Sequence, residues 1–352
     1  MTEQCFDINS YNNSPLSTYL SELCNLDGVS GNENAVRKYI LDKIKPFADD
    51  ISVDGLGNIL VLKKGKHTPK NKIMLAAHMD EVGLIITDID KEGMLRFSCV
   101  GGIDKRLLPG RSVRINGLSG VIGIKPIHLC DGKGRSSATD TDNLYIDIGA
   151  NSDEQAKQYI SLGDYASFDT QYELFGSMIK AKAIDDRVGC AIMLDIISKP
   201  LQYDTWFAFT VQEEVGLRGA KAAAFTIAPD IAIVLESTTA ADVPGVDGAK
   251  CICKVENGPV VSFMDRSTIY DRQLYNIAFE LAKAGNIACQ TKTGIAGGND
   301  SGAIHQSRGG VRTLAISLPC RYIHSPCCMA SPIDVMQCGY LAQSCLDSFA
   351  QL

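Results

Sequence analysis

Four stretches of this chain are apolar on consecutive residues and not on alternate ones: KIMLAAHMD (72–80), TWFAFTVQ (205–212), DIAIVLE (230–236) and VRTLAISLP (311–319). A strand turns successive side chains to opposite faces, so runs like these need cover on both sides, which is the habit of strands buried in parallel sheets. Helical patterns fall around and between them: SPLSTYLSELCNLDG and NENAVRKYILDKIKPFA near the start, then DDRVGCAIMLDIIS, DRQLYNIAFELAKAG and the closing PIDVMQCGYLAQSCLDSFAQL. Strands alternating with helices predict an α/β fold with a mostly parallel sheet flanked by helices. DISVDGLGNILVLKKG reads as a hairpin turning at Gly55 and Gly57, and GSMIKAKAI as a further strand.

From about 82 to 175 the texture changes to short strand-like pieces and dense glycines, as in GRSVRINGLSGVIGIKPIH, with one helix in SDEQAKQYI. This segment is expected to be a small β-rich domain inserted into a larger one. The division is therefore 1–81 with 176–352 for the main domain, and 82–175 for the insertion.

The strands end in an unusual way. In open α/β sheets ligands bind at the carboxyl ends of the strands. KIMLAAHMD delivers His78 and Asp80, SMIKAKAIDD delivers Asp185 and Asp186, FTVQEE delivers Glu213 and Glu214, IAIVLE delivers Glu236, and the last strand runs on to His324. Glu213 and Glu214 are read as the exit of a buried strand whose alternation forbids that both face solvent. Each motif alone is bland. A histidine in an apolar strand is usually a satisfied core residue, DDR is an ordinary helix start, and paired glutamates are usually solvated. Glu236 after IAIVL is harder to dismiss, because an unpaired buried carboxylate is expensive.

Together the five exits bring two histidines and six carboxylates to one rim. Like charges that close raise one another's pKa, and a cation removes the conflict. Mixed imidazole and carboxylate donors suit Zn²⁺, Co²⁺ or Mn²⁺ better than Ca²⁺ or Mg²⁺. Two ions sharing a bridging carboxylate would use the supply well. Asp80, two residues from His78 on the same face, could hold that imidazole in one tautomer. His67, His128 and His305 have no such partners, and Asp300 in GGND is a candidate supporting carboxylate.

Composition excludes several alternatives. With 45% hydrophobic and 21% charged residues the chain can bury a large core. A net charge of −7 without a basic block argues against nucleic acid or an anionic membrane as partner. The 13 cysteines are odd in number and contain no CxxC pair, so they read as reduced, mostly buried thiols and not as a disulfide framework or zinc knuckle. No leader pattern and no membrane-length apolar run is present, so a cytoplasmic protein is expected.

The motifs AAHMDEVGLI, AIDDRVG, VQEEVGLRGA, TTAADVPG, GGNDSGAIH and CRYIHSP, in this order, resemble the M42 metallo-aminopeptidases (glutamyl and tetrahedral aminopeptidases) within the co-catalytic dizinc exopeptidases. The resemblance covers nearly the whole chain. It implies removal of the N-terminal residue from short peptides by water activated between two divalent ions, zinc or cobalt foremost and manganese third. His78 and Glu236 would bind one ion, Glu214 and His324 the other, with Asp185 bridging. Asp80 would orient His78, and Glu213 would be the general base. A cis Asp185–Asp186 peptide, a β-barrel insertion used for dimerisation, and dimers building a dodecamer are implied as well. Glu236 stands where many relatives have aspartate and Asn299 where many have threonine; the extra methylene of Glu236 changes its reach.

Rival readings are another dizinc amidohydrolase such as a deacetylase or carboxypeptidase, a metal-free glycosidase, and a non-catalytic assembly protein. The preference for an acidic, basic or apolar N-terminal residue is not set by the motifs. Arg266, Lys250 and Arg321 are the cations considered for an acidic one.

Overall fold

The structure, a computed structural model, describes residues 6–130, 139–295 and 297–352. The strands in chain order are β1 (Asp50–Val53), β2 (Ile59–Lys63), β3 (Ile73–His78), β4 (Gly83–Ile89), β5 (Leu95–Val100), β6 (Ser112–Ile115), β7 (Leu118–Ile124), β8 (Leu144–Asp147) and β9 (Tyr165–Phe168). They continue with β10 (Glu173–Phe175), β11 (Met178–Ala181), β12 (Thr205–Thr210), β13 (Ile231–Thr239), β14 (Val260–Val261), β15 (Gln290–Thr291), β16 (Arg312–Arg321) and β17 (Cys328–Ala330).

The main sheet runs β1-β2-β12-β3-β13-β16-β17-β11-β10, with β14 and β15 attached through β16. Its centre, β12-β3-β13-β16, is parallel. The flanking pairs β1-β2, β2-β12, β16-β17, β17-β11 and β11-β10 are antiparallel, so the sheet is mixed at its margins. The four apolar runs make the parallel centre, where both faces of the sheet are covered.

The two faces are packed differently, and the sequence alternation shows why. Ile73, Leu75 and Ala77 of β3, Phe207 and Phe209 of β12, and Ile231, Ile233 and Leu235 of β13 face a large core. Helix Ile184–Ile197, buried along its whole length, lies in that core with the helices Pro15–Cys24 and Pro332–Phe349. Met74, Ala76, Ala208, Ala232 and Val234 face the other way, against Ala220, Ala223 and Ala224 of helix Arg218–Ile227. Small residues on both sides let that helix approach closely.

Strands β4 to β9 close into a barrel in the order β4-β5-β8-β7-β6-β9, with a hydrophobic cluster of its own from Val82 to Phe168. The chain returns to the main sheet at β10. The helix expected over SDEQAKQYI is only Asp153–Ala156, capped by the Ser152 hydroxyl, which accepts from the Gln155 N–H at 3.3 Å.

The cysteines Cys24, Cys190, Cys253, Cys320, Cys328, Cys338 and Cys345 are buried free thiols. Burial pushes Cys24 and Cys253 up to about 12, so these thiols are inert. Among the described residues no helix is long and apolar enough to cross a membrane.

Candidate metal centre

Register brings the first donors together. Thr210 of β12 lies beside His78 of β3. The β3-β13 ladder pairs Ile73 with Ile231 through Ala76 with Val234, and the same offset carried two residues on sets His78 beside Glu236. Both follow the small-residue face of their strands. Glu236 is not at a strand end, as the sequence suggested: β13 continues to Thr239 because its pairing with β16 runs on to Thr239 and Cys320. The ladder to β3 closes at Ala76 and Val234, and β3 itself ends at His78, level with Glu236.

The paired glutamates also sit differently from the strand reading. β12 stops at Thr210, Gln212 adopts a left-handed conformation (φ 56°), and Glu213 and Glu214 occupy the turn that follows. Strand alternation therefore does not separate them, and both can address the same centre. Their backbone N–H groups donate to the Asp80 carboxylate at 3.0 and 3.2 Å. That carboxylate also accepts from the Ser30 hydroxyl at 2.6 Å and lies 3.4 Å from His78 Nδ1. Burial opposes charge on Asp80, yet His78, Ser30 and the Glu213 N–H hold it below the usual carboxylate range. His78 Nδ1–H donates to the Asp80 backbone carbonyl at 3.1 Å, which leaves Nε2 as the free donor of the ring.

Asp185 and Asp186 follow β11 at the kinked start of helix Ile184–Ile197, and the peptide between them is cis. Asp185 Oδ1 lies 3.6 Å from His78 Nε2 and its Oδ2 lies 3.2 Å from His324 Nε2. Glu236 Oε1 is 3.5 Å from His78 Nε2, and Glu214 Oε2 is 3.3 Å from His324 Nε2. Asp186 points elsewhere, accepting from the His78 and Gly189 N–H groups at 3.3 and 3.1 Å.

His324 is carried by the turn between β16 and β17, with Tyr322 and His324 both left-handed (φ 62° and 56°). Such residues cost of order 1–3 kcal/mol each and persist only where surroundings hold them. Here the Cys328 thiol donates to the Tyr322 carbonyl at 3.4 Å, Ser325 Oγ donates to Cys327 O at 2.8 Å, and Arg321 forks onto Asp242 at 2.6 and 2.8 Å. The barrel closes the other side of the centre. A Cβ added at Gly101 (φ 84°) would meet Glu214 Cβ at 3.3 Å, and one at Gly102 would reach His324 Nδ1 at 3.6 Å.

Three overlapping groups of donors could each hold an ion: His78–Asp185–Glu236, Asp185–Glu214–His324 and His78–Glu213–Glu214. The unsatisfied atoms single out the first. His78 Nε2, Asp185 Oδ1 and Glu236 Oε2 are buried without a hydrogen-bond partner, which buried polar atoms rarely are. The electrostatics agree. Burial, reinforced by Asp185, pushes Glu214 up to about 7 and Glu236 well above its usual range. Burial also raises Glu213. Burial works against charge on His324, but Asp185 and Glu214 raise it to about 9. A crowd of carboxylates unable to ionise together, with imidazole lone pairs aimed among them, is a donor set that fits divalent cations.

Arg187 was missed in the sequence, while Asn299 and Asp300, noted there, find their partners only here. Arg187, third in DDR, is fully buried with Lys182 and Glu81 in an ion network beneath the centre. Asn299 accepts the Ser301 N–H at 2.9 Å and donates at 3.1 Å to the Tyr270 hydroxyl. Asp300 accepts from Thr210 Oγ1 at 2.5 Å and keeps its Oδ1 unpartnered. Among the described residues neither cavity that opens on the cluster is lined by Arg266, Lys250 or Arg321, and on the side of Glu236 the lining includes Lys292. Lysine far from any motif carried no signal.

Known proteins share this arrangement of chain. The M42 glutamyl aminopeptidase family matches residues 57–341. A relative from Acetivibrio thermocellus is 42% identical over 319 residues, which is 90% of this chain and 94% of the relative. The lysyl aminopeptidase of Pyrococcus furiosus is 32% identical over 331 residues, 91% of this chain and 93% of its own. The solved structure of the Pyrococcus horikoshii TET1 peptidase, which can assemble into a tetrahedron or a large octahedral shell, superimposes with a TM-score of 0.82 at 35% identity, covering 94% of this chain and 98% of that one.

Proposed function

The chain belongs to the M42 glutamyl aminopeptidase family, a metallo-aminopeptidase family of hydrolases, and from that premise we propose that it removes the N-terminal residue from short peptides at the His78–Asp185–His324 cluster. His78 and Glu236 would hold one divalent ion and Glu214 and His324 the second, with Asp185 available to both. The observation that carries the reading is Asp185 itself, whose two oxygens face two different histidines while Oδ1 lacks any partner. Zn²⁺ or Co²⁺ suits this mixed donor set best, with Mn²⁺ third.

Bound ions supply Lewis-acid polarisation of a peptide carbonyl and acidification of a water molecule. The rest is done by the chain. Asp80 fixes the His78 ring through its carbonyl and fixes the Glu213–Glu214 backbone through its carboxylate, so one residue sets the positions of three. Glu213 is the general base. Buried beside the cluster, with its pKa raised by that burial, it takes a proton from water as the water attacks the scissile carbonyl. When the C–N bond breaks, Glu213 returns the proton to the departing amine.

We also assign the main domain to 1–81 with 176–352 and the insertion to 82–175. The separate barrel core supports this. On the analogy of the P. horikoshii shells, the chain self-associates through the barrel into dimers that build a dodecamer. Its buried free thiols support residence in a reducing cytoplasm.

The test is a dipeptide with a free amine set against its N-acetyl form, after chelation and after adding back Zn²⁺, Co²⁺ or Mn²⁺. Cleavage of the free-amine form alone, lost with the metal and restored by it, is expected. Equal cleavage of both forms, or full activity in chelator, would refute the reading.

A further inference from the structure

Two thiols stand on either side of the turn that carries His324. Cys320 is the penultimate residue of β16 and Cys328 opens β17, and both are buried free thiols in the same hydrophobic core. Register makes them diagonal neighbours. Cys320 pairs with Ala330 and Arg321 with Met329, so Cys328 lies two residues from the position opposite Cys320 and on the same face. A side-chain hydrogen bond between the two thiols, with burial second, pushes Cys320 well above the usual thiol range. We propose that this pair is an oxidation site: a peroxide joins Cys320 to Cys328 as a disulfide, and the bridge releases the ion assigned to Glu214 and His324.

Access and consequence both follow from Cys328. It lines a small cavity of about 10 Å³ that opens on Asp185, Glu214 and His324, so a molecule little larger than water reaches its sulfur from the centre. Hydrogen peroxide transfers one oxygen to the Cys328 sulfur, giving a sulfenic acid and one water. The Cys320 sulfur then attacks the sulfenic sulfur. The S–S bond forms, the S–O bond breaks, and hydroxide leaves with the Cys320 proton as a second water. Two thiols are oxidised by two electrons in all, and one peroxide is reduced to two waters. The reduced Cys328 thiol donates to the Tyr322 carbonyl at 3.4 Å. A disulfide has no S–H, so this bond is lost, and with it one restraint on the left-handed backbone of Tyr322 and His324. Diagonal neighbours also stand roughly 7–8 Å apart, whereas a disulfide seldom spans more than about 6.8 Å between Cα atoms. Closing the bridge draws the strands together at the mouth of the turn. That carries His324 Nε2 off its 3.2 and 3.3 Å distances to Asp185 and Glu214. His78 and Glu236 stand on β3 and β13, away from the bridged pair, and keep their places.

The proposal rests on the two-ion reading, and the test keeps the two apart. Metal-loaded wild type and Cys320→Ala are treated with hydrogen peroxide, dialysed, alkylated without reductant and mapped by mass spectrometry, with metal counted by elemental analysis. Wild type is expected to yield a Cys320–Cys328 cross-linked peptide, two hydrogens lighter than the separate peptides, and to fall from two metal equivalents to one. Activity on a free-amine dipeptide should fall at least tenfold with it. Dithiothreitol followed by added metal should restore both. Cys320→Ala keeps the bond from Cys328 to Tyr322 and should hold two equivalents through the same treatment. Absence of the cross-link, or a bridge to Cys327 or Cys24 in its place, overturns the assignment. So does a cross-linked protein that still holds two equivalents, or equal metal loss in Cys320→Ala. Fewer than two equivalents in untreated wild type refutes the two-ion reading instead.

Discussion

Replacing Lys182 by methionine removes the cation at the middle of the ion network beneath the centre. Lys182 and Glu81 have side chains only 1% and 2% exposed. The ammonium donates to Glu81 Oε1 and Oε2 at 2.8 and 3.0 Å, to Asp27 at 3.1 Å and to the Leu26 carbonyl at 2.9 Å. Methionine fills the space of the lysine stem but satisfies none of these. Removing one partner of a buried ion pair costs about 3–5 kcal/mol. Glu81 keeps Arg187 at 3.3 Å and the Gly28 N–H at 2.9 Å, so the lower end, about 3 kcal/mol, is expected.

With unfolding entropy of roughly 2.1 cal/mol/K per residue, a cooperative unit of 352 residues loses about 4 °C in Tm for that change. Circular dichroism of the metal-loaded protein measures it. The decisive control is the double variant Glu81→Gln with Lys182→Met. Its glutamine still accepts from Arg187 and Gly28, but the buried Arg187 guanidinium then lacks the carboxylate that paired with it, so none of the lost Tm should return. A Lys182→Met loss below about 1 °C, or a double variant more stable than Lys182→Met, would refute the argument.

Glu213→Gln should retain two metal equivalents by elemental analysis yet lose about 10²–10⁴ in turnover, the range for a general base; near-normal turnover would remove Glu213 from that role. Glu236→Ala should lose one of the two equivalents on dialysis, whereas retention of both would show that its carboxylate is not a ligand. Asp271 caps helix Arg272–Ala284 and pairs with Arg312 at 2.7 Å, and the guanidinium foremost holds its pKa below the usual range. A carboxylate depressed in the folded state contributes stability in full above its unfolded pKa near ~3.9 and loses it as pH falls through the folded one. The stability gap between wild type and Asp271→Asn should therefore be larger at pH 7 than at about pH 3, and a gap that is constant with pH would exclude the ion pair as its source.

The sequence by itself determined the elements and the donors. Unbroken apolar runs marked the parallel strands, because covering both faces is a local demand written into consecutive residues. His78, Asp185, Glu214, Glu236 and His324 were legible because polar groups set within or just after apolar runs stand out against them. Tertiary structure decided how those donors meet. That His78 lies beside Glu236 follows from the β3-β13 register, and a register is a relation between two segments that neither records alone. The same holds for Asp185, whose two oxygens find separate histidines only once three strands and a turn are packed. Arg187 looks ordinary along the chain. Burial makes it a support, because the energy of a charge is set by its surroundings.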